Sequence, residues 1–162
     1  AHQLLRPRRL IGGSCVRACR RGRQRPDRGA VLLVGDVLHP VDALAVELFD
    51  SMVTTGRNPA LISAVTVQEI LVRPFRRGTA AVATAEGFLG HFTGLRVVDV
   101  GYEIAREGAR IRAATSLRTP DALILATAQF ASVDVFVTDD KRLGEAAVRI
   151  APGLVVALLR DI

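Results

Sequence analysis

Acidic residues recur where apolar runs of this chain give way to helical patterns. Thr66-Val67-Gln68-Glu69 overlaps the end of the run ALISAV at 60–65. Asp121 stands directly before ALILATA, in the stretch RTPDALILATA at 118–128. Thr138, Asp139 and Asp140 follow VDVFV at 133–137. Taken singly, each has a purely structural reading. Thr66 with Glu69 is a Ser/Thr-x-x-Glu capping box. Thr119-Pro120-Asp121 reads as an N-cap, a proline at the first helical position and an acid in the first turn. Thr138-Asp139-Asp140 reads as a third cap. Together they ask for more, because clustered carboxylates repel and raise one another's pKa. Caps alone could be Ser, Thr or Asn. A hard divalent cation offsets the repulsion, and Mg2+ or Mn2+ prefers carboxylate and water oxygens. No His or Cys lies at these junctions, which disfavours zinc.

The elements that would position these acids follow from periodicity. ALISAV, LRVVDV at 95–100, VDVFVT at 133–138 and LVVALL at 154–159 read as strands. Ala30–Val34 is a short apolar run ending at Gly35-Asp36. Apolar residues at 41, 44, 45, 48, 49 and 52 recur at helical spacing. TVQEILVRPF reads as a helix stopped near Pro74. Further helices are expected over 79–93, 102–116, 119–130 and 140–147. Strands alternating with helices imply βαβ units and a parallel sheet covered on both faces. Ligands of such sheets bind outside the carboxyl ends of the strands, where the acids fall.

Composition bounds the classes. The 162 residues are 49% apolar but only 4% aromatic, so the core must be aliphatic. No run approaches a membrane span, and the basic N-terminus lacks an apolar signal core. A soluble, cytoplasmic protein without membrane association is expected. Cys15 and Cys19 have no second Cys/His pair to complete a zinc site, and are expected to be free thiols. The formal charge of +6 is uneven. Residues 1–30 hold nine arginines and the single acid Asp27, whereas residues 31–162 hold thirteen basic and fifteen acidic groups. Residues 1–26 therefore read as a basic, irregular arm, suited electrostatically to nucleic acid. Residues 27–162 read as the folded domain.

SAVTVQEILVRP, RTPDALILATA and FVTDDKRL, in this order and spacing, resemble the three downstream motifs of PIN-domain ribonucleases, in particular VapC-type toxins of toxin–antitoxin modules. The resemblance runs from about residue 30 to residue 162. It implies a three-layer α/β/α PIN-like domain with a parallel sheet and a ring of acids holding one or two Mg2+ or Mn2+ ions. By the family pattern, Glu69, Asp121 and Asp140 are the catalytic acids and metal ligands. Asp139 is the fallback for Asp140, and Thr138 holds the loop or a water. The family also has an acid at the end of its first strand. The closest match here is Asp27 in PDRGAVLL, with Arg28 and Gly29 replacing the usual small polar pair. The residues before it, RGRQRP, are charged and contain a proline, which cannot donate to a ladder. The usual first strand is thus expected to be missing or replaced, with loss of the sheet's centre. An altered frame or start upstream of about residue 30 would account for this and for the patternless arm.

The resemblance further implies hydrolysis of RNA phosphodiesters, a cognate antitoxin as partner and a homodimer, with contact faces near 41–53 and 60–80. Arg73, Arg76, Arg77, Arg118, Lys141 and Arg142 are candidates for guiding RNA past the acids. His39 has no partner nearby in sequence and reads as a loop residue. Two rival enzymes fit less well: a phosphoacceptor receiver domain needs its acid pair early, and an Asp-x-Asp phosphatase motif is lacking. The main alternative is a catalytically impaired PIN-like module that binds antitoxin or RNA.

Overall fold

The computed structural model describes residues 30–34, 59–91 and 94–161. Asp27, His39, the two cysteines, the basic arm and the helical pattern at 41–53 lie outside the described residues. Five strands form one parallel sheet: β1 (Val31–Leu33), β2 (Ala60–Ser63), β3 (Leu95–Val98), β4 (Val135–Thr138) and β5 (Val155–Leu158), in spatial order β3-β2-β1-β4-β5. Five helices are described: α1 (Ala64–Arg77), α2 (Thr79–His91), α3 (Tyr102–Ala114), α4 (Thr119–Phe130) and α5 (Lys141–Ile150).

The centre of the sheet is present, which corrects one expectation. Val31–Leu33 pairs with β2 on one side and β4 on the other. Three aliphatic residues suffice because both neighbours satisfy them and all three are buried. In sequence this strand begins four positions after Asp27. The family pattern instead has its acid on the carboxyl side of the first strand.

Alternation along the strands sorts side chains to two faces. Leu32, Leu61, Phe136 and Val156 face one way, with Ile104 and Ile111 of α3, Ile124 and Leu125 of α4, and Leu143 of α5. Val31, Leu33, Ile62, Val135 and Val137 face the other way, with Val67 and Ile70 of α1 and Leu89 of α2. Crossover handedness explains the division. From β2 to β3 the chain steps toward one edge; from β3 to β4 and from β4 to β5 it steps toward the other. Right-handed connections therefore put α1 and α2 on one face and α3 to α5 on the opposite one. The result is three layers.

The end of α1 differs from the sequence reading. Pro74 does not stop α1, which runs on to Arg77. Proline removes one intrahelical bond, yet its own carbonyl accepts the Gly78 N–H at 3.1 Å. The stop is Gly78, at φ 110°, a conformation that disfavours any side chain. α3 and α4 approach closely at Gly108. A Cβ built on Gly108 would stand 2.8 Å from Leu123 Cδ2 and 3.6 Å from Leu123 Cα. Gly108→Leu is therefore expected to lower stability by about 1–3 kcal/mol, read as the free energy of urea unfolding. Unchanged stability would show that the two helices do not meet so closely.

Candidate active site

Register fixes where the strands end. Leu33 lies opposite Val137, and Val34 N donates to Val137 O at 3.1 Å, so Val34 ends level with Thr138. Leu32 lies opposite Leu61, so Val34 is also level with Ser63. Thr138, Val34 and Ser63 thus form one row, with Thr138 and Ser63 about 10 Å apart across β1 at ordinary strand spacing. The chain leaves β1 toward β2 and leaves β4 toward β5, so this row spans the topological switch point.

Ser63 begins α1. Its Oγ accepts the Val65 N–H at 3.3 Å. Thr66 is therefore the third helical residue rather than the cap, and the expected capping box does not form. Thr66 is fully buried and its Oγ1 has no hydrogen-bond partner among the described residues. Glu69, in the second turn, is exposed, as is Arg73 one turn further on the same helix side. The helix start does not account for an acid at position 69.

Asp121 is the third residue of α4, which starts from Arg118 without a side-chain cap. Thr119 is thus inside the helix, and Pro120 sits in the first turn, where its missing N–H costs no intrahelical bond. The carboxylate is favoured there by the amino end of the helix dipole. Its side chain is only 15% exposed, and Oδ2 accepts from Arg118 Nε at 3.2 Å, a guanidinium 80% exposed. Such an exposed partner contributes about 0–1 kcal/mol.

The carboxyl half of α4 is tied to the sheet. Val133 N donates to Ala128 O at 3.2 Å and Asp134 N to Ala30 O at 3.0 Å, so the carboxyl end of α4 lies at the amino ends of β1 and β4. Its amino end, with Asp121, is directed toward the opposite rim. Ser63 Oγ lies 3.1 Å from Thr127 Oγ1. The Thr127 proton is used on Leu123 O at 2.8 Å, so Ser63 donates to Thr127. Sequence reasoning missed this pair. Its signal was a hydroxyl at the end of an apolar strand and another inside an apolar helix.

The end of β4 is tightly built. Thr138 is fully buried, and its Oγ1 accepts the Asp140 N–H at 3.1 Å. Asp140 Oδ1 accepts from Arg142 N at 2.7 Å and Leu143 N at 3.2 Å, capping α5. The capping reading therefore holds for Asp140, while Asp139 beside it is half-buried. Lys141 is exposed and its Nζ lies 3.9 Å from Glu145 Oε1.

Topology thus assigns the starts of α1, α4 and α5 to the carboxyl rim of the sheet. Among the described residues, however, no three His, Cys, Asp or Glu side chains stand close enough together to hold a metal ion. Glu69, Asp121 and Asp140 do not form a closed three-carboxylate set. The donors are all oxygens, which suits a hard divalent cation, and Mg2+ characteristically takes only one or two protein carboxylates beside water and substrate phosphate. Asp121, Asp139 and Asp140 are donors of that kind.

Among the described residues no helix is long and apolar enough to cross a membrane. Comparison with curated proteins finds no match. Among solved structures, FitAcB from Neisseria gonorrhoeae is similar at TM-score 0.61 and 22% identity, over 82% of this chain and 99% of that one. A toxin–antitoxin complex from Klebsiella pneumoniae matches at TM-score 0.63 and 20% identity, over 82% and 99%. VapC20 of Mycobacterium tuberculosis, described as a sarcin-ricin loop cleaving toxin, matches at TM-score 0.58 and 16% identity, over 72% and 94%. The family described as PIN domain matches residues 32–149, a stretch that runs from β1 through α5, and the chain belongs to the PIN-domain family.

Proposed function

We propose that this protein is a metal-dependent endoribonuclease, the toxin of a toxin–antitoxin pair. The observation that carries the reading is Asp121: a mostly buried carboxylate whose one observed partner is an exposed arginine, at the start of a helix directed to the rim where Thr138 and Asp140 end β4. Asp121 and Asp140, with Asp139 adjacent, are the residues that would hold Mg2+ or Mn2+. When bound, the ion supplies neutralisation of phosphate charge and a lowered pKa for water in its shell. Glu69 accepts the proton of the attacking water as general base. Thr138 keeps the Asp139-Asp140 turn in place through the Asp140 N–H. Arg118 moves between its pair with Asp121 and the incoming phosphate, and Arg73 and Lys141 steer the strand from the flanks.

A cognate antitoxin belongs to this reading, supported by the toxin–antitoxin complex from Klebsiella pneumoniae among the similar structures. So does a homodimer, for which Val72 and Phe75 on α1 offer exposed apolar area. The second reading is a PIN-like module without cleavage, favoured by the absence of a closed three-carboxylate set among the described residues. Incubation with total RNA separates the two. Cleavage is expected with Mg2+ or Mn2+ and is abolished by EDTA. No cleavage with either ion, in a protein that still binds RNA or antitoxin, establishes the module. Cleavage that survives chelation overturns the metal dependence.

A further inference from the structure

A cleft of about 170 Å3 opens between the α3–α4 turn and α5, lined by Thr115, Ser116 and Leu117 and by Arg142, Glu145 and Arg149. Its base is apolar and closed: Leu117 is 8% exposed, and Ala146, which also lines it, 4%. The polar lining is cationic. Arg142 and Arg149 are seven residues apart, two turns on the same side of α5 and about 10 Å along its axis, within reach of one another for side chains of that length. Neither enters an ion pair with a described residue. Glu145, the one acid in the lining, is drawn to Lys141 at 3.9 Å. Thr115 Oγ1 is occupied, donating to Ile111 O at 2.8 Å and accepting from Leu117 N at 3.3 Å. Ser116 adds a second hydroxyl.

Size and position narrow the ligand. Pockets for cofactors or whole nucleosides run to roughly 300–1,000 Å3, so this cleft suits one phosphoryl-sized group. Guanidinium groups bind phosphate and carboxylate oxygens bidentately, and the position beside the proposed cleavage rim favours phosphate. The cleft also adjoins the acids at both walls. Arg142 donates its backbone N–H to Asp140, and the 115–117 turn leads into Arg118, which pairs with Asp121.

We infer that this cleft is a phosphate subsite, taking a phosphodiester of the RNA strand beside the bond to be cut. The inference rests on the nuclease reading above, and its test is separable from it. Fluorescence anisotropy of labelled single-stranded RNA in EDTA, over a salt series, reads phosphate contacts without cleavage. Each contact on a single strand contributes about 0.7 to the slope of log affinity against log salt. Arg142→Gln/Arg149→Gln is expected to flatten the slope by about 0.7 and weaken binding about five- to tenfold at the lowest salt. Glu145→Gln, which removes the opposing charge, is expected to tighten it about two- to fivefold. Circular dichroism should show all variants folded. An unchanged slope in the arginine pair, or no RNA binding by the wild type, overturns the subsite. So does an unchanged RNA slope with lost binding of an oligoglutamate peptide, which assigns the cleft to an acidic protein segment. Cleavage by the wild type with an unchanged slope removes the subsite alone. A flattened slope in a protein that never cleaves removes the nuclease reading alone.

Discussion

Asp121→Asn should abolish metal-dependent RNA cleavage, by on the order of 100-fold or more, while the protein stays folded. The two halves of this expectation have different causes. Asn keeps the volume and polarity of Asp at the third position of α4, and that helix start takes no side-chain cap from residue 121. What folding loses is a pair with an 80% exposed arginine and the carboxylate's attraction to the helix dipole, about 0–1 kcal/mol each. What catalysis loses is a negative oxygen donor, and an amide is a poor substitute toward Mg2+ or Mn2+. Initial rates on a defined RNA, beside thermal melts of both proteins, check the claim. Equal rates would remove Asp121 from the chemistry and leave it as a helix-start residue. A collapse of the melt would show that its pairing matters far more to folding than its exposure implies.

The largest expected effect on stability lies at Phe136. This residue is fully buried in β4, opposite Leu32 of β1 and Val156 of β5, on the sheet face covered by α3, α4 and α5. Among the described residues no other fully buried side chain matches its volume. Phe136→Ala removes its burial and leaves a cavity that aliphatic neighbours can only partly fill, at a cost of about 3–5 kcal/mol. Against the roughly 5–15 kcal/mol of a typical domain, that is enough to unfold a substantial share of molecules near growth temperature. Urea unfolding should show the midpoint falling with little change in slope. Phe136→Leu, which keeps most of the volume, should cost about 1.5 kcal/mol or less. Similar losses for both would point to a role in strand pairing rather than in filling the core.

Much of this was legible in the sequence because it rests on local signals. The apolar runs at 60–65, 95–100, 133–138 and 154–159 each contain a strand, and their parallel pairing follows from the helices between them. RTPDALILATA marked its helix, since proline and acid are both favoured in a first turn, although the cap is Arg118 and not the expected Thr119. Capping was less legible. A hydroxyl three residues before an acid suggested Thr66 as a cap, yet Ser63 holds that position, because the strand ends one residue before Ala64. The central strand was least legible. Val31–Leu33 is too short to show a period; only its two neighbours in the sheet define it. Nor could spacing say how near three carboxylates come to one another, since that depends on helix tilt and not on chain order.

Asp140 is held by two backbone amides of the helix it starts, so one residue serves both the architecture and the proposed chemistry. Mutational drift would treat it accordingly. A descendant that gave up cutting RNA would still be selected for a polar side chain at 140, and Asn or Ser would serve the amides nearly as well. Asp121 pairs instead with an exposed arginine, a contact of about 0–1 kcal/mol, and is held far less tightly by folding. A relative that keeps an acid at 140 alone is therefore no proof of a living enzyme, whereas one that also keeps Asp121 has had a reason beyond folding to do so.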